Sequence, residues 1–161
     1  RRRLLRDDVI APSYAGERCG QLAIAIDTSG SIPDANLTRV LSEVRRLADL
    51  AEEILILSHD AAIHDVIPTS HLEAFFVSLK TGTGGLHGNG GTSHVPVFTW
   101  LNTHHVRPDL LICCTDLATE FPTTPPPYPV LWAIFPDHAH ITPPFGQVLI
   151  IQAQKDSARG I

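Results

Sequence analysis

The 161-residue sequence contains no methionine and three cysteines, Cys19, Cys113 and Cys114, too few and odd in number for a disulfide framework. Thiols kept reduced, and so a cytoplasmic setting, are the expectation. No stretch approaches the roughly 20 apolar residues of a membrane-spanning helix, and the start lacks the apolar core of a secretory signal. The first residue is Arg1, so the chain reads as a piece of a longer protein. Basic charge is scarce. Of twelve Lys and Arg, Arg1, Arg2, Arg3 and Arg6 open the chain, which leaves eight against seventeen acidic side chains over residues 7–161, a body charge of −9. Such a surface repels phosphate backbones, and nucleic-acid binding by the folded part is excluded on that ground. Lysine is limited to Lys80 and Lys155, which removes the lysine of a phosphate-binding loop.

What is present is a single domain's worth of core. Hydrophobic residues make up 43% and charged residues 18%, in the range of a folded globular chain. Residues 1–18 read as a linker or amino-terminal extension and 19–161 as the domain. Gln21 to Ile26 is a continuous apolar run, the pattern of a parallel strand covered on both faces, and it ends in Asp27-Thr28-Ser29-Gly30-Ser31. Pro33 suits a first helical turn, and Leu37, Val40, Leu41, Val44, Leu47 and Ala51 predict a helix from Pro33 to Ala51. Glu53–Ser58 and Ile63–Ile67 read as a hairpin across Asp60-Ala61-Ala62, with Pro68 marking an edge. His71–Leu79 predicts a short helix, Thr92–His104 another, and Asp109–Thr115, Pro129–Phe135 and Gln147–Ile151 three more strands. Strands alternating with helices predict a three-layer αβα, doubly wound, mostly parallel sheet with one antiparallel edge strand. In such sheets ligands bind beyond the carboxyl ends of the strands, where strand order reverses.

Asp27 and Asp116 both stand at strand ends. Asp27, Ser29 and Ser31 put oxygen-bearing side chains at alternate positions of a tight turn. If the Gln21 and Asp109 strands are neighbours, Thr92 and Asp116 reach the same point. Five hard oxygen donors with no His or Cys among them suit Mg2+, Mn2+ or Ca2+ better than zinc. Taken alone, the D-x-S-x-S stretch is equally a turn with a capping serine. A position left open on the metal would accept a carboxylate from another protein. Two enzyme readings fail on the residues. Phosphoryl transfer at Asp27 lacks its second aspartate, since Ser29 stands there, and a serine hydrolase at Ser29 lacks G-x-S-x-G.

Thr81 to Gly91 holds six glycines in eleven residues and reads as a loop, either an inert connector or a rim that orders on ligand docking, with Gly90, Gly91, Ser93 and His94 beside the site. The nine histidines are scattered and read as surface groups. His87 and His94, which flank Thr92, are placed to touch a ligand. Cys113, Cys114, Trp132 and Phe135 read as core.

Asp27 to Ser31 after an apolar strand, Thr92 after a glycine-rich loop, and Thr115-Asp116 after a second apolar strand resemble the metal-ion-dependent adhesion site of von Willebrand factor A (VWA) domains, in order and spacing, over residues 21–151. More narrowly, Gly90-Gly91-Thr92 to Val97-Phe98, Pro108 to Leu111, Tyr128 to Trp132 and Pro143 to Gly146 are similar to the VWA-like carboxyl-terminal domain of bacterial predicted metal-dependent peptidases, of the DUF2201 type. The resemblance implies that Ser29, Ser31 and Thr92 hold the metal directly and that Asp27 and Asp116 act largely through bound water. It also implies that any peptidase chemistry lies in a separate upstream zinc domain, since this chain has no H-E-x-x-H and is by itself no enzyme. MoxR-type AAA+ ATPases, with which relatives are associated, become candidate partners. Two positions depart from the pattern: Leu117 follows Asp116 where adhesion domains have glycine, and Ser93 follows Thr92 where relatives often carry an acid. The alternative expectation is a structural VWA-like module whose site holds no ion.

Overall fold

The computed structural model describes residues 19–32, 34–88 and 90–151. The readings of the 1–18 extension and of Pro33 as a first helical residue lie outside them. In chain order the elements are β1 (Cys19–Asp27), α1 (Asp34–Ala48), β2 (Ala51–His59), β3 (Ile63–Pro68), α2 (Thr69–Thr81), α3 (Val95–Thr103), β4 (Leu110–Cys114), β5 (Val130–Ile134) and β6 (Gln147–Ile150). A 3-10 turn at Pro136–His138 follows β5.

The sheet runs β3-β2-β1-β4-β5-β6. Every pairing is parallel except β2 with β3, the antiparallel edge that the sequence predicts. Strand order reverses at β1, whose two neighbours are β2 and β4, with Ile24 opposite both Ile56 and Ile112. The carboxyl ends of β1 and β4 therefore lie side by side at the switch point.

Alternation along each strand builds two cores. Leu22, Ile24, Ile26, Ile54, Ile56, Ile112 and Cys114 face α1 and α2, meeting Val40 and Val44 from the first and Leu72 and Phe76 from the second. Ala23, Ala25, Leu55, Leu57, Leu111, Cys113, Trp132 and Ile134 face α3, meeting Val97, Phe98 and Leu101. Each fully buried aliphatic or aromatic side chain contributes about 1.5–3 kcal/mol of transfer free energy, so the sheet is held from both sides. Cys113 and Cys114 split between the two cores, as adjacent strand residues must, and Trp132 and Phe135 are buried.

Element boundaries differ from the sequence reading where tertiary pairing competes with helix periodicity. Ala51 is not the last residue of α1 but the first of β2, because it pairs with Cys19 in the sheet. α3 starts at Val95 instead of Thr92. Ser93 forms a parallel bridge with Glu120, and His94 N–H donates to the Glu120 carbonyl at 3.2 Å, so both backbones are engaged before the helix begins. α2 is longer than expected and closes at Gly82, whose φ of 69° is left-handed and favours glycine. At the other end of that segment Pro68 has no N–H to pair, and the Thr69 hydroxyl substitutes, accepting from Ile54 N–H at 2.7 Å and donating to Ile54 C=O at 3.0 Å.

Candidate metal centre

The β1 strand ends with Asp27 on the α3 side of the sheet, and the chain then turns sharply. Ser29 N–H donates to Asp27 Oδ1 at 2.9 Å, and Ile32 N–H to Ser29 C=O at 3.0 Å, which folds the Asp27–Ser31 segment back over the strand end. Ser31 Oγ donates to Asp116 Oδ2 at 2.6 Å. Its proton being used there, the 3.1 Å contact between the two serine oxygens is donated by Ser29. From β4, Thr115 Oγ1 donates to Asp27 Oδ2 at 2.9 Å, and Ala118 N–H donates to Asp116 Oδ1 at 2.9 Å. Asp27, Ser29, Ser31 and Asp116 thus form one hydrogen-bonded set spanning the switch point, with Thr115 as the tie between the strands.

Thr92 joins through its backbone. Its carbonyl accepts the Thr119 hydroxyl, so the segment after the glycine-rich loop lies against the one after Asp116. Its own side chain is half-buried and stands outside the hydrogen-bonded set.

Asp27 and Asp116 are 1% and 2% exposed. Buried carboxylates carry a heavy desolvation cost unless compensated. The ion pairs among the described residues are Arg46–Glu43, His64–Asp60 and His87–Asp65, so neither Asp27 nor Asp116 has a basic partner. Two buried acids lined by hydroxyls, opening through exposed Gly30 and Ser31, fit a hard dication. No group of three or more His, Cys, Asp or Glu among the described residues is placed to hold a metal, so the candidate set draws on hydroxyl oxygens and differs in kind from a His- or Cys-rich centre.

Leu117 explains its own departure from the glycine of adhesion domains only in part. Its φ is 62°, the left-handed region that glycine enters without strain. The backbone therefore keeps the glycine conformation, with Leu117 N–H donating to Thr115 Oγ1 at 3.1 Å and its carbonyl accepting Thr119 N–H at 2.9 Å. The side chain, 2% exposed, packs into the α3-side core.

The rim differs from expectation at one residue. Gly90 and Gly91 are exposed and Ser93 is half-buried, but His94 is 1% exposed and cannot meet a ligand from solvent. Its ring lies among Trp132, Phe121 and His59, with centroids 5.1, 5.4 and 5.5 Å away. Desolvation, followed by repulsion from His59, pushes its pKa down to about 3. His59 is likewise fully buried, and burial lowers its pKa although Asp27 opposes the shift. The surface reading of the histidines is thus corrected at these two positions. The signal was the alternation Leu55-Leu57-His59, which continues the α3-facing side of β2 into the imidazole.

Asp60 and Asp65, which the motif reading passed over, anchor the glycine-rich loop. Asp60 accepts Gly90 N–H at 3.0 Å on one oxygen, and Ala62 N–H at 3.0 Å and His64 Nε2 at 2.7 Å on the other. Asp65 accepts His87 N–H at 2.8 Å and meets His87 Nδ1 at 2.7 Å, while Ser58 Oγ donates to it at 2.5 Å. Burial raises both carboxyl pKa values, and these donors outweigh it and hold both below the usual range. Thr28 Oγ1 donates to His87 C=O at 2.8 Å, and Gly88, at φ 155°, passes so close to Thr28 that any Cβ would strike the hydroxyl. The loop is thereby seated across the ends of β1 and β2 through His87, Gly88 and Gly90.

No curated protein matches the sequence. The model of the VWA-like domain (DUF2201) family matches residues 22–152, a span that runs from β1 past β6 and takes in every candidate metal-site residue. With most of its length covered by that model, and a six-stranded, mostly parallel sheet, the chain belongs to the VWA-like domain family DUF2201.

Proposed function

We propose that the domain is a protein-binding module whose site takes one divalent cation, Mg2+, Mn2+ or Ca2+, and through it an acidic side chain of a partner. The observation that carries the reading is the pair of buried carboxylates, Asp27 and Asp116, joined through Ser29, Ser31 and Thr115 with no ion pair to a basic side chain among the described residues. Ser29, Ser31 and Thr92 would supply hydroxyl oxygens to the ion, with Asp27 and Asp116 supporting it largely through water. When bound, the ion would supply a Lewis-acidic position open to a carboxylate. The protein's own part is to hold the donors in place, to exclude bulk water from Asp27 and Asp116, and to present the opening beside Ser31.

The cytoplasm is the setting proposed, on the strength of three unpaired thiols at Cys19, Cys113 and Cys114. Among the described residues no helix is long and apolar enough to cross a membrane. The domain itself is read as non-catalytic, serving as a docking or regulatory part of a predicted metallopeptidase, with a MoxR-type AAA+ ATPase as a candidate partner. Both of those assignments rest on the resemblance stated above.

Capture experiments with the immobilised domain test this reading. Partner retention is expected in Mg2+, with loss in chelator and in Asp116→Ala. Retention that is indifferent to both would refute it. One observation favours a second reading, a structural module with no ion: Ser31 already satisfies Asp116 Oδ2 at 2.6 Å. That reading predicts that Asp27→Ala leaves partner binding intact.

A further inference from the structure

An imidazole is a costly side chain to place where His94 is. Its surroundings are aromatic, and Nδ1 is buried without a hydrogen-bond partner, a deficit that an apolar ring of similar size would not have. What an apolar ring could not do is on the other side. Thr115 Oγ1 carries one proton and two lone pairs. The proton goes to Asp27 Oδ2 at 2.9 Å, one lone pair takes Leu117 N–H at 3.1 Å, and the other faces His94 Nε2 at 3.2 Å. With the hydroxyl proton committed, Nε2 must carry the hydrogen, and His94 is the Nε2–H tautomer with a bare Nδ1.

The consequence falls on Asp27. With both lone pairs of Thr115 taken, its hydroxyl has a single direction in which to point, toward Asp27 Oδ2. Asp27 Oδ1 is fixed independently by Ser29 N–H at 2.9 Å. Each carboxylate oxygen is therefore held by one protein donor and keeps its remaining lone pairs for the site. We infer that His94 is a positioning residue: as an N–H donor to Thr115 it fixes the orientation of Asp27, and through Asp27 the affinity of the site for its cation. This rests on the metal-binding reading above.

The test uses Mn2+ as the probe, with thermal melts run alongside. His94→Phe fills the same space without a donor, Thr115→Val removes the middle of the relay, and His94→Gln restores a side-chain N–H. His94→Phe and Thr115→Val are each expected to weaken Mn2+ binding about 10–100-fold, the usual effect of losing a hydrogen bond that orients a metal-site group. The double variant is expected to lose no more than either single one, and His94→Gln to stay within a few-fold of wild type. A folded His94→Phe that binds Mn2+ like wild type, or losses that multiply in the double variant, would overturn the inference. Nitrogen-15 spectra of the metal-free wild-type histidines give a readout that needs neither a variant nor an ion. A proton on Nε2 of His94 is expected, and a proton on Nδ1 overturns the relay. Failure of wild type to take up Mn2+ would refute the metal reading instead, so the two failures are separable.

Discussion

Replacing Leu117 separates backbone strain from packing at the most unusual residue of the site. Its φ of 62° costs a side-chain-bearing residue about 1–2 kcal/mol relative to the right-handed region. Its side chain is 2% exposed, and truncation of such a leucine to alanine costs about 2–5 kcal/mol through lost transfer free energy and a residual cavity. Leu117→Ala keeps a Cβ and therefore keeps the strain. Leu117→Gly loses one further carbon and gains about 0.5–1 kcal/mol of unfolded-state entropy to be overcome, but is released from the strain. The terms nearly cancel or favour glycine, so Leu117→Gly is expected to be as stable as Leu117→Ala or up to about 1 kcal/mol more stable. At an ordinary φ the glycine variant would be about 1 kcal/mol less stable. With a urea m-value of about 2 kcal/mol per molar, the roughly 1–2 kcal/mol between the two outcomes separates them by roughly 0.5–1 M in midpoint. Urea unfolding of both variants decides. A glycine midpoint clearly below the alanine one would show that Leu117 stores no relievable strain.

Asp65 has a depressed folded-state pKa, so the stability it contributes is fully present above the ordinary carboxylate value near 3.8 and is lost as pH falls through the lower folded value. Urea midpoints across that acid range should fall more steeply for wild type than for Asp65→Asn, and parallel curves would contradict the assigned hydrogen bonds. Gly88→Ala, which drives a Cβ into Thr28, is expected to release the 82–91 segment, read as faster protease cleavage there with a smaller change in global unfolding. Unchanged cleavage would mean that the loop's seat on Thr28 is not what holds it. Burial raises the pKa of all three thiols, Cys114 to about 12. A thiol reagent should therefore modify only half-buried Cys19 in the native protein, slowly, and all three after unfolding. Native-state modification of Cys113 or Cys114 would show that the sheet opens locally at β4.

The fold was legible because its strands are apolar runs and its helices carry single apolar stripes, patterns that do not depend on distant residues. Boundaries were lost where a distant strand claimed the backbone: Ala51 is taken by Cys19, and Ser93 with His94 by Glu120. The convergence of the Asp27 turn with Asp116 was readable because both residues end parallel strands, and the sheet order made those strands neighbours. Thr92 was placed near the site on the expected strand adjacency and by resemblance, but nothing in its local sequence specifies its backbone contact with Thr119. Asp60 and Asp65 were missed because their partners, Gly90 and His87, lie more than 20 residues away in a segment whose composition suggested an unattached loop. His59 and His94 were misplaced by a general expectation for histidine, although strand alternation already pointed His59 inward.

The central claim, that Asp27, Ser29, Ser31, Thr92 and Asp116 hold a hard dication, is tested most directly by titrating Mn2+ into the protein and following the paramagnetic resonance signal of the free ion, with Mg2+ as competitor and Asp116→Ala as control. Saturable uptake at one site, displaced by Mg2+ and lost in Asp116→Ala, is the predicted result. Absence of uptake at millimolar Mn2+, or equal uptake by the variant, would contradict it.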